Sequence, residues 1–390
     1  MTSDSQSPLT IEIKGVQFVN KGAELMLHAV LQKLQEIAPS ADIVLRPNKS
    51  SPYSERAKLG AFQKLSLSRS FIDLNSISYY FPKRFRTWLR NKWGIVTEAD
   101  VDVILDASGF AYGDQWSSIA LTQLSKELKR FHRKSKPYIF LPQALGPFTR
   151  SQDRKNLSAS LPLASLVMAR EKSSYENVLS LGVSAPVLYQ YPDFTNIVMG
   201  VCPNYFDCPH DVFLLIPNCK MLSEKNAHTG WRERYINVLS SAVRAAQNNG
   251  MKAIMLNHEG AADQRVCDAV NQSLTYPIEI ICEQNPIKVK GIIGRCKLVM
   301  CSRFHGCVSA LSQGVSYIGT SWSYKYERLF EEYDRREFLI SEPIDDDSVA
   351  HLISVGKLAK ASDNRGKIAS LKGRSHEMWE HVNRAAFEAC

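Results

Sequence analysis

Three features that mark other classes of protein are missing from this 390-residue sequence. Its first residues, MTSDSQSPLT, have neither the basic start nor the apolar run of a signal peptide, so we expect a cytoplasmic protein. No apolar stretch reaches the roughly 18 residues that a membrane-spanning helix needs. The nine cysteines form no CxxC pair, which favours reduced thiols over a disulfide framework. The spacing of Cys202, Cys208 and His210 fits no familiar zinc pattern, and we expect no metal site.

Length and charge set broad limits. A chain of 390 residues exceeds the size at which a single core usually keeps growing, so two domains are expected. A hydrophobic content of 44% excludes wholesale disorder. The 48 basic and 39 acidic residues give a net charge of +9. This moderate excess suits anionic small molecules, nucleic acid or an anionic membrane surface, and does not choose among them.

Buried strands and amphipathic helices alternate twice along the chain, with a break in the Pro-, Asp- and Cys-rich segment GVCPNYFDCPHD. This pattern predicts two doubly wound, Rossmann-like α/β domains facing a cleft, the architecture of the glycosyltransferase B type. We place the N-terminal domain at 1–200 and the C-terminal domain at 201–345. Residues 346–390 are predicted to be helices that pack back across the first domain. The fold by itself does not determine the chemistry.

The segment KLVMCSRFHG places two cationic side chains where a buried strand turns into a helix. In open α/β sheets, ligands bind beyond the carboxyl ends of the strands, where helix N-termini offer free N–H groups. Arg303 and His305 are two apart, so in an extended segment both would face one ligand. The arginine offers a planar fork for an anion and the histidine a proton near neutral pH, while Gly306 permits close approach. The alternative is that the arginine pairs with a neighbouring acid and the histidine caps the helix.

Motifs in order along residues 11–335 resemble the polysaccharide pyruvyl transferase family. CSRFHGCVSALSQGVSYIGTSWSYKYERLFEE resembles its C-terminal signature, an Ser-Arg-Phe-His-Gly turn followed by a helix, a strand and a lysine, here Lys325. GVQFVNKGAELMLHAV resembles its first strand, turn and helix, and VDVILDASGFAYGDQW its glycine-bearing strand end. LPQALGPF and MAREKSSYENVLSLGV resemble two further segments. The chain departs from the family at Ala107 and Ser108, where several consecutive glycines are common, and at Glu171, where aspartate is commoner.

The resemblance implies an enzyme that moves a carboxyethylidene group from phosphoenolpyruvate to two hydroxyls of a sugar, forming a pyruvate ketal. The acceptor would be a surface polysaccharide or its lipid-linked precursor. The resemblance also implies that the N-terminal domain holds the acceptor and the C-terminal domain the donor. His305 is the expected general acid and Arg303 the main anion clamp. The other expected donor ligands are Lys325, Arg170, Asn20 and Gly22, and the expected acceptor ligands are Asp114, Ser108 and Gly109.

No cofactor or metal is expected beyond phosphoenolpyruvate itself. His258, beside Glu259 and Asp263, either lines the donor pocket or is a satisfied loop histidine. Asp114 has a helix N-cap as its alternative role. Two other functions stay open. One is a nucleotide-sugar glycosyltransferase of the same fold, with Glu327 binding the ribose, and the other is a non-enzymatic glycan-binding protein.

The segment YYFPKRFRTWLRNKWG, residues 79–94, interleaves five basic residues with Phe and Trp. Such a segment suits an anionic membrane surface, which would be consistent with a lipid-linked acceptor at the inner face of the membrane. Nucleic acid would be bound by similar residues but is not an expected partner. The alternative is a solvated helix with a packed aromatic face. The basic residues are Lys83, Arg84, Arg86, Arg90 and Lys92.

Overall fold

The structure is a computed structural model, and it describes residues 8–70, 72–206, 211–224, 226, 228–359 and 364–388. The backbone divides into two compact units. The first contains the chain up to residue 18, residues 26–194 and the chain from residue 374 onward, and the second contains residues 19–25 and 195–373. The sequence placed the boundary at residue 200 and set 346–390 apart. The second unit extends beyond residue 345 because Val349 and Ile353 are buried in its core.

The first unit is built on an eight-stranded parallel sheet of order β10-β9-β8-β7-β1-β2-β3-β6. The sequence pattern indicates five of these strands, β1, β2, β7, β8 and β9, whereas the shorter strands carry too few residues for a clear pattern. β1 ends at Lys14, although the apolar alternation of IEIKGVQFV continues to Val19, because Gly15 has a left-handed φ of 81°. The strands are β1 Thr10–Lys14, β2 Asp42–Leu45, β3 Phe62–Lys64, β6 Ile95–Val96, β7 Val103–Asp106, β8 Tyr138–Gln143, β9 Leu166–Ala169 and β10 Leu188–Gln190, with an antiparallel ribbon of β4 Ser68–Arg69 and β5 Ile72–Asp73.

Helices of the first unit bury apolar faces against this sheet. In α4 the residues Leu121, Leu124, Leu128 and Phe131 follow helical spacing and are all buried, and Ser117 caps the helix. The helices are α1 Lys21–Ile37, α2 Tyr53–Lys58, α3 Lys83–Trp93, α4 Ser118–Arg133, α5 Ser151–Ser158 and α6 Lys172–Leu179. The first turn of α1 belongs to the second unit. None of the described helices is long and apolar enough to cross a membrane.

The second unit is built on a six-stranded parallel sheet of order β13-β12-β11-β14-β15-β16. The central strands are nearly uninterrupted apolar runs because helices cover both faces of the sheet. Its strands are β11 Val212–Ile216, β12 Lys252–Leu256, β13 Glu279–Ile281, β14 Leu298–Cys301, β15 Ser316–Thr320 and β16 Leu339–Ile340. Its helices are α7 Trp231–Asn248, α8 Gly260–Gln272, α9 Pro286–Arg295, α10 Phe304–Ser312, α11 Tyr324–Glu332 and α12 Asp346–Leu358, and α13 Arg365–Asn383 follows.

Each sheet has one point at which the direction of strand addition reverses. In the first unit this point lies between β1 and β7, and in the second unit it lies between β11 and β14. Ligands of open α/β sheets bind beyond the carboxyl ends of the strands at such points. Gly15 and Ser108 follow the first pair of strands, and Asn218 and Ser302 follow the second pair.

Candidate functional site

The turn after β14 carries the two cationic side chains that the sequence singled out. Arg303 is the extended N-cap residue of α10, which begins at Phe304, so His305 already lies in the first turn of the helix. The expectation that both residues lie in one extended segment was therefore wrong. Gly306 lies directly over Cys301. A Cβ at position 306 would come within 2.5 Å of the Cys301 sulfur. The missing side chain thus lets the helix start close above the end of its own strand.

Arg303 makes ion pairs with two acids that precede or begin α8. Its Nε donates to Asp263 Oδ2 at 2.9 Å and its Nη2 to Asp263 Oδ1 at 2.5 Å, while Nη1 contacts Glu259. Asp263 is completely buried, whereas the Glu259 side chain keeps 24% of its surface exposed. The ion-paired alternative therefore describes this structure. Asp263 fixes the guanidinium by a bidentate contact, and Glu259 is the partner that solvent or a ligand can reach.

His305 packs against the backbone at the start of α1. A Cβ at Gly22 would lie 2.2 Å from His305 Nδ1, so only glycine leaves room for the imidazole. Asn20 closes this end of the helix, because its Oδ1 accepts hydrogen bonds from Gly22 N at 2.9 Å and Ala23 N at 3.2 Å. The structure thus brings Asn20, Gly22 and His305 together, and donor binding by these three residues stays a prediction. The two backbone amides, however, are already bonded to the Asn20 side chain.

His258 is a buried histidine beside this group, with 6% of its surface exposed. Within the described part of the chain, its Nδ1 has no hydrogen-bond partner. Burial lowers the pKa of His258 well below its usual range, and electrostatic interactions with Arg303, His305 and Lys21 lower it further. The imidazole is therefore neutral at physiological pH. Its unbonded Nδ1 does not fit the alternative of a loop histidine whose hydrogen bonds are all made within the protein.

Lys21 was missed in the sequence, although it stands between Asn20 and Gly22. It is buried at the start of α1, and its Nζ lies 2.8 Å from Glu24 Oε2. A lysine in the first turn of a predicted helix could have been noticed in the sequence, because a cation is unfavourable at that end of the helix dipole. The positive charge of Lys21 lowers the pKa of His258, which places it in the same group of side chains as Arg303.

A buried hydrogen-bond network holds the turn in place from below. Asn218 Nδ2 donates to Ser302 O at 2.8 Å, and Tyr326 OH donates to the same oxygen at 2.9 Å. Tyr235 OH donates to Ser302 Oγ at 2.6 Å, and that hydroxyl also contacts Thr320. No local pattern in the sequence indicates this network, because its members come from five separate segments that only the fold brings together.

Lys325 and Glu327 lie in the first turn of α11. The Lys325 ammonium lies over the rings of Trp322 at 5.0 Å and Phe304 at 5.3 Å, beside the turn that carries His305. These cation–π contacts hold a positive charge next to α10. The Glu327 carboxylate lies 3.9 Å from Arg336 and 3.5 Å from Ser341, two residues that follow α11 in the chain.

The predicted acceptor ligands Ser108 and Gly109 lie in the first unit, directly after β7. Ser108 Oγ donates to Asp106 Oδ1 at 2.5 Å. A Cβ at Gly15 would lie 2.1 Å from Ser108 Oγ, so glycine is needed beside this hydroxyl. Gly109 has a left-handed φ of 67° and touches the side chain of Met26. Ser108 thus fastens the turn between β7 and α4, and a role in acceptor binding stays a prediction.

Asp114 and Arg170 both have protein partners in the first unit. Asp114 Oδ2 accepts hydrogen bonds from Thr149 N and Oγ1, each at 2.7 Å. The cap of α4 is Ser117, so the N-cap alternative for Asp114 does not apply to that helix. Arg170 is buried and donates to Asp193 Oδ2 at 3.1 Å. Ligand binding by Asp114 and Arg170 stays a prediction.

The second unit therefore holds a cluster of nitrogen-bearing side chains at the N-termini of three helices, α1, α8 and α10. Its members are Asn20, Lys21, His258, Arg303 and His305. Such an arrangement suits a small molecule with more than one negative charge. Among the described residues, no group of three His, Cys, Asp or Glu side chains could hold a metal ion. Cys208 and His210, from the segment considered for zinc, lie outside the described residues.

Comparison with protein families places most of the chain in one of them. The model of the polysaccharide pyruvyl transferase family matches residues 20–324. This range contains every residue of the cluster and agrees with the resemblance seen in the motifs. The comparison with curated proteins gives no match.

Solved structures with the same architecture come from several organisms. UDP-GlcNAc 2-epimerase from Methanocaldococcus jannaschii has a TM-score of 0.61 at 10% identity, over 96% of this chain and 99% of its own. A glycosyltransferase from Rickettsia africae has a TM-score of 0.58 at 12% identity, over 99% and 100%. UDP-GlcNAc 2-epimerase from Neisseria meningitidis, bound to UDP-GlcNAc, has a TM-score of 0.58 at 10% identity, over 97% and 99%. These likenesses confirm the predicted glycosyltransferase B type of fold.

Proposed function

The chain belongs to the polysaccharide pyruvyl transferase family, and we propose that it transfers a carboxyethylidene group from phosphoenolpyruvate to a sugar. The carbon skeleton of phosphoenolpyruvate would end as a pyruvate ketal that bridges two hydroxyls, and inorganic phosphate would be released. The acceptor would be a surface polysaccharide or its lipid-linked precursor. Transferase activity follows from the family, whereas the donor and the ketal are our proposal.

The observation that supports this donor is the cluster in the second unit. Phosphoenolpyruvate carries a carboxylate and a phosphate on one small skeleton, so it needs several cationic or hydrogen-bonding groups at short range. Arg303, His305 and Lys21 all act electrostatically on His258, whose buried Nδ1 has no hydrogen-bond partner in the described part of the chain. An anionic oxygen at this position would satisfy that atom, because the imidazole would take up a proton and donate it in a hydrogen bond.

Arg303 would bind the donor by exchanging one of its two acidic partners. Asp263 is fully buried and held by two contacts, so it would stay in place and keep the guanidinium oriented. Glu259 is partly exposed and would give way to a carboxylate or phosphate oxygen of the donor. Lys325 would add a second positive charge from α11, and Arg170 remains a proposed ligand from the first unit.

The reaction needs one proton delivered to carbon and two bonds made at another carbon. In the proposed sequence His305 protonates the methylene carbon of the enol, which leaves an oxocarbenium-like centre at C2. A sugar hydroxyl adds to C2 and loses its proton to a base. The second hydroxyl then displaces phosphate from C2 and closes the ring. Arginine and histidine neutralise the phosphate in this scheme, so we propose no additional cofactor.

Turnover with phosphoenolpyruvate is the direct test of the proposal. Incubation of the full chain with phosphoenolpyruvate and galactose- or N-acetylmannosamine-containing glycans is expected to release phosphate. One glycan should gain a carboxyvinyl-sized mass and one negative charge in its mass spectrum. Thermal-shift measurements with phosphoenolpyruvate and with UDP-glucose provide the control. Stabilisation by UDP-glucose alone would favour a nucleotide-sugar glycosyltransferase and overturn the proposal.

We also propose that α3 docks on an anionic membrane surface, where a lipid-linked acceptor would be found. Phe85 and Trp88 stack at 5.9 Å and remain 42% and 48% exposed, and Trp93 is 62% exposed. Lys83, Arg84 and Lys92 are exposed around them, so the helix presents aromatic and basic groups together. Arg86 and Arg90 contribute less than the sequence suggested, because they pair with Asp100 and Asp42 of the same unit.

Neutralising the three exposed basic residues is expected to weaken vesicle binding roughly a hundredfold, since each contributes about 1 kcal/mol at an anionic surface. The variant Lys83→Ser/Arg84→Ser/Lys92→Ser would be compared with the native chain by sedimentation with phosphatidylcholine vesicles, with and without phosphatidylglycerol. The matched control changes three exposed basic residues elsewhere in the first unit, Arg133, Lys155 and Lys172, to serine. Equal weakening in both variants, or no binding by the native chain, would contradict docking through α3.

A further inference from the structure

A cavity of about 200 Å³ lies at the carboxyl edge of the sheet in the first unit. Its lining includes Lys14, the last residue of β1, and Arg46, which directly follows β2. Residues of α4 and of the segment 68–75 form other parts of the wall. The cavity therefore adjoins the point between β1 and β7 at which the order of strands reverses, the position where open α/β sheets bind ligands.

One side of the cavity is a fixed polar surface. Lys14 Nζ donates to Glu127 Oε2 at 2.6 Å and to Tyr138 OH at 2.8 Å. Tyr112 OH and Tyr138 OH both donate to Asp106 Oδ2, at 2.7 Å and 2.8 Å. Lys14 and Glu127 both remain charged despite their burial, because each raises or lowers the pKa of the other in favour of its charged form. Buried ionised groups held in this way are costly for stability and are concentrated at binding sites.

The two arginines that line the cavity differ in their carboxylate partners. Arg130 donates to both oxygens of Glu98, at 2.6 Å and 2.8 Å, and to Asp73 at 2.6 Å. Arg46 has one hydrogen bond, from Nη2 to Ser68 Oγ at 3.0 Å, and no carboxylate of the described residues lies within ion-pair distance of it. Among the described residues, no carboxylate therefore compensates the guanidinium of Arg46, whereas Glu98 and Asp73 compensate that of Arg130.

We propose that this cavity binds one sugar residue that carries an anionic substituent, with the anionic group on Arg46. The hydroxyls of the sugar would bond to Glu127 and to the amide oxygen of Gln123, whose Nε2 is held by Ser70 O at 2.6 Å. The ring of Tyr112 supplies an apolar contact beside them. The anionic group would be either the carboxylate of a uronic acid or the phosphate through which a glycan is linked to its lipid. The inference rests on the proposed function, because it assigns the cavity to the acceptor.

Binding without phosphoenolpyruvate separates this inference from the proposed function. Saturation-transfer NMR and titration calorimetry on the full chain would use glucose, glucuronate, glucose 1-phosphate and inorganic phosphate as probes. Glucuronate or glucose 1-phosphate is expected to bind about tenfold more tightly than glucose, because of one charge-assisted contact. Whichever of the two binds more tightly identifies the carboxylate or the phosphate as the group recognised. Arg46→Gln is expected to remove this difference and leave glucose binding unchanged.

Two controls keep the result interpretable. Arg133→Gln removes an exposed arginine of α4 that does not line the cavity, and it should leave all four affinities unchanged. Thermal unfolding of Arg46→Gln and Arg46→Lys would show that the fold is intact, since only one hydrogen bond is lost. Phosphate binding as tight as that of glucose 1-phosphate would overturn the inference, as would the absence of sugar binding. A chain that binds these sugars but releases no phosphate would overturn only the proposed function.

Discussion

Replacing His305 by glutamine is expected to lower the rate of phosphate release from phosphoenolpyruvate by about 10²–10⁴-fold, the usual contribution of a general acid. Glutamine keeps a polar group at the start of α10 but cannot deliver a proton to carbon. Donor affinity should change only a few-fold, because Arg303 and Lys325 remain. Initial rates at saturating donor, with the dissociation constant of phosphoenolpyruvate from calorimetry, measure the two effects separately.

The matched control is His351→Gln, which removes an exposed histidine of α12 in the same unit. Its turnover should equal that of the native chain. Near-normal turnover in His305→Gln would remove this histidine as the acid. A loss of donor affinity without a loss of kcat would make it a binding residue instead.

A methyl group at position 22 should impair the same histidine from the opposite side. Gly22→Ala places a Cβ where His305 Nδ1 now lies, so the imidazole has to move. A displacement of about 1 Å is enough to cost about 10²-fold in rate. The substitution should lower the free energy of unfolding by about 1–2 kcal/mol, because the cost of overpacking against His305 exceeds the gain of alanine over glycine within a helix. Gly373→Ala in α13 meets no neighbouring atom and is the matched control, expected to leave turnover unchanged. Full activity in Gly22→Ala would show that the position of this ring does not limit the rate.

Removing the charge of Arg303 is expected to have the largest effect on stability. Arg303→Leu leaves Asp263, which is completely buried, without its bidentate partner. Breaking a buried ion pair from one side costs about 3–5 kcal/mol, because one charge remains without compensation. Urea unfolding of the native chain and the variant measures this change in the free energy of unfolding.

A second substitution separates the structural role of Arg303 from its role in binding. In Arg303→Leu/Asp263→Asn the remaining side chain is neutral, and its amide oxygen can still accept the hydrogen bond from Cys219 N. Most of the lost stability should therefore return, while the affinity for phosphoenolpyruvate stays low. If the single variant loses less than about 1 kcal/mol, the ion pair does not hold the turn. If the double variant binds the donor normally, Arg303 is not the anion clamp.

Several parts of the fold were predicted from local pattern. The buried runs that form β7, β8, β11, β12, β14 and β15 are long enough and apolar enough to be recognised, and α4 and α7 follow clear helical spacing. The strands β3, β6 and β16 have three residues or fewer and were not predicted. The short helix α2, which precedes β3, was not predicted either. Such short elements are set by their neighbours in the sheet, and their own residues carry too little signal.

The candidate site divides in a similar way. The sequence by itself determined that an arginine and a histidine follow a buried strand, and that glycine and asparagine begin α1. Only the tertiary structure decided that Arg303 pairs with Asp263 and Glu259, residues 40 and 44 positions earlier in the chain. This pairing depends on β12, β11 and β14 lying side by side in register, which brings the loops after β12 and β14 to one edge. Likewise, Lys14, Arg46 and Glu127 share a cavity only because β1, β2 and α4 meet. Periodicity records which face of an element is buried, but the partners of a polar side chain depend on contacts between distant segments, which no local pattern encodes.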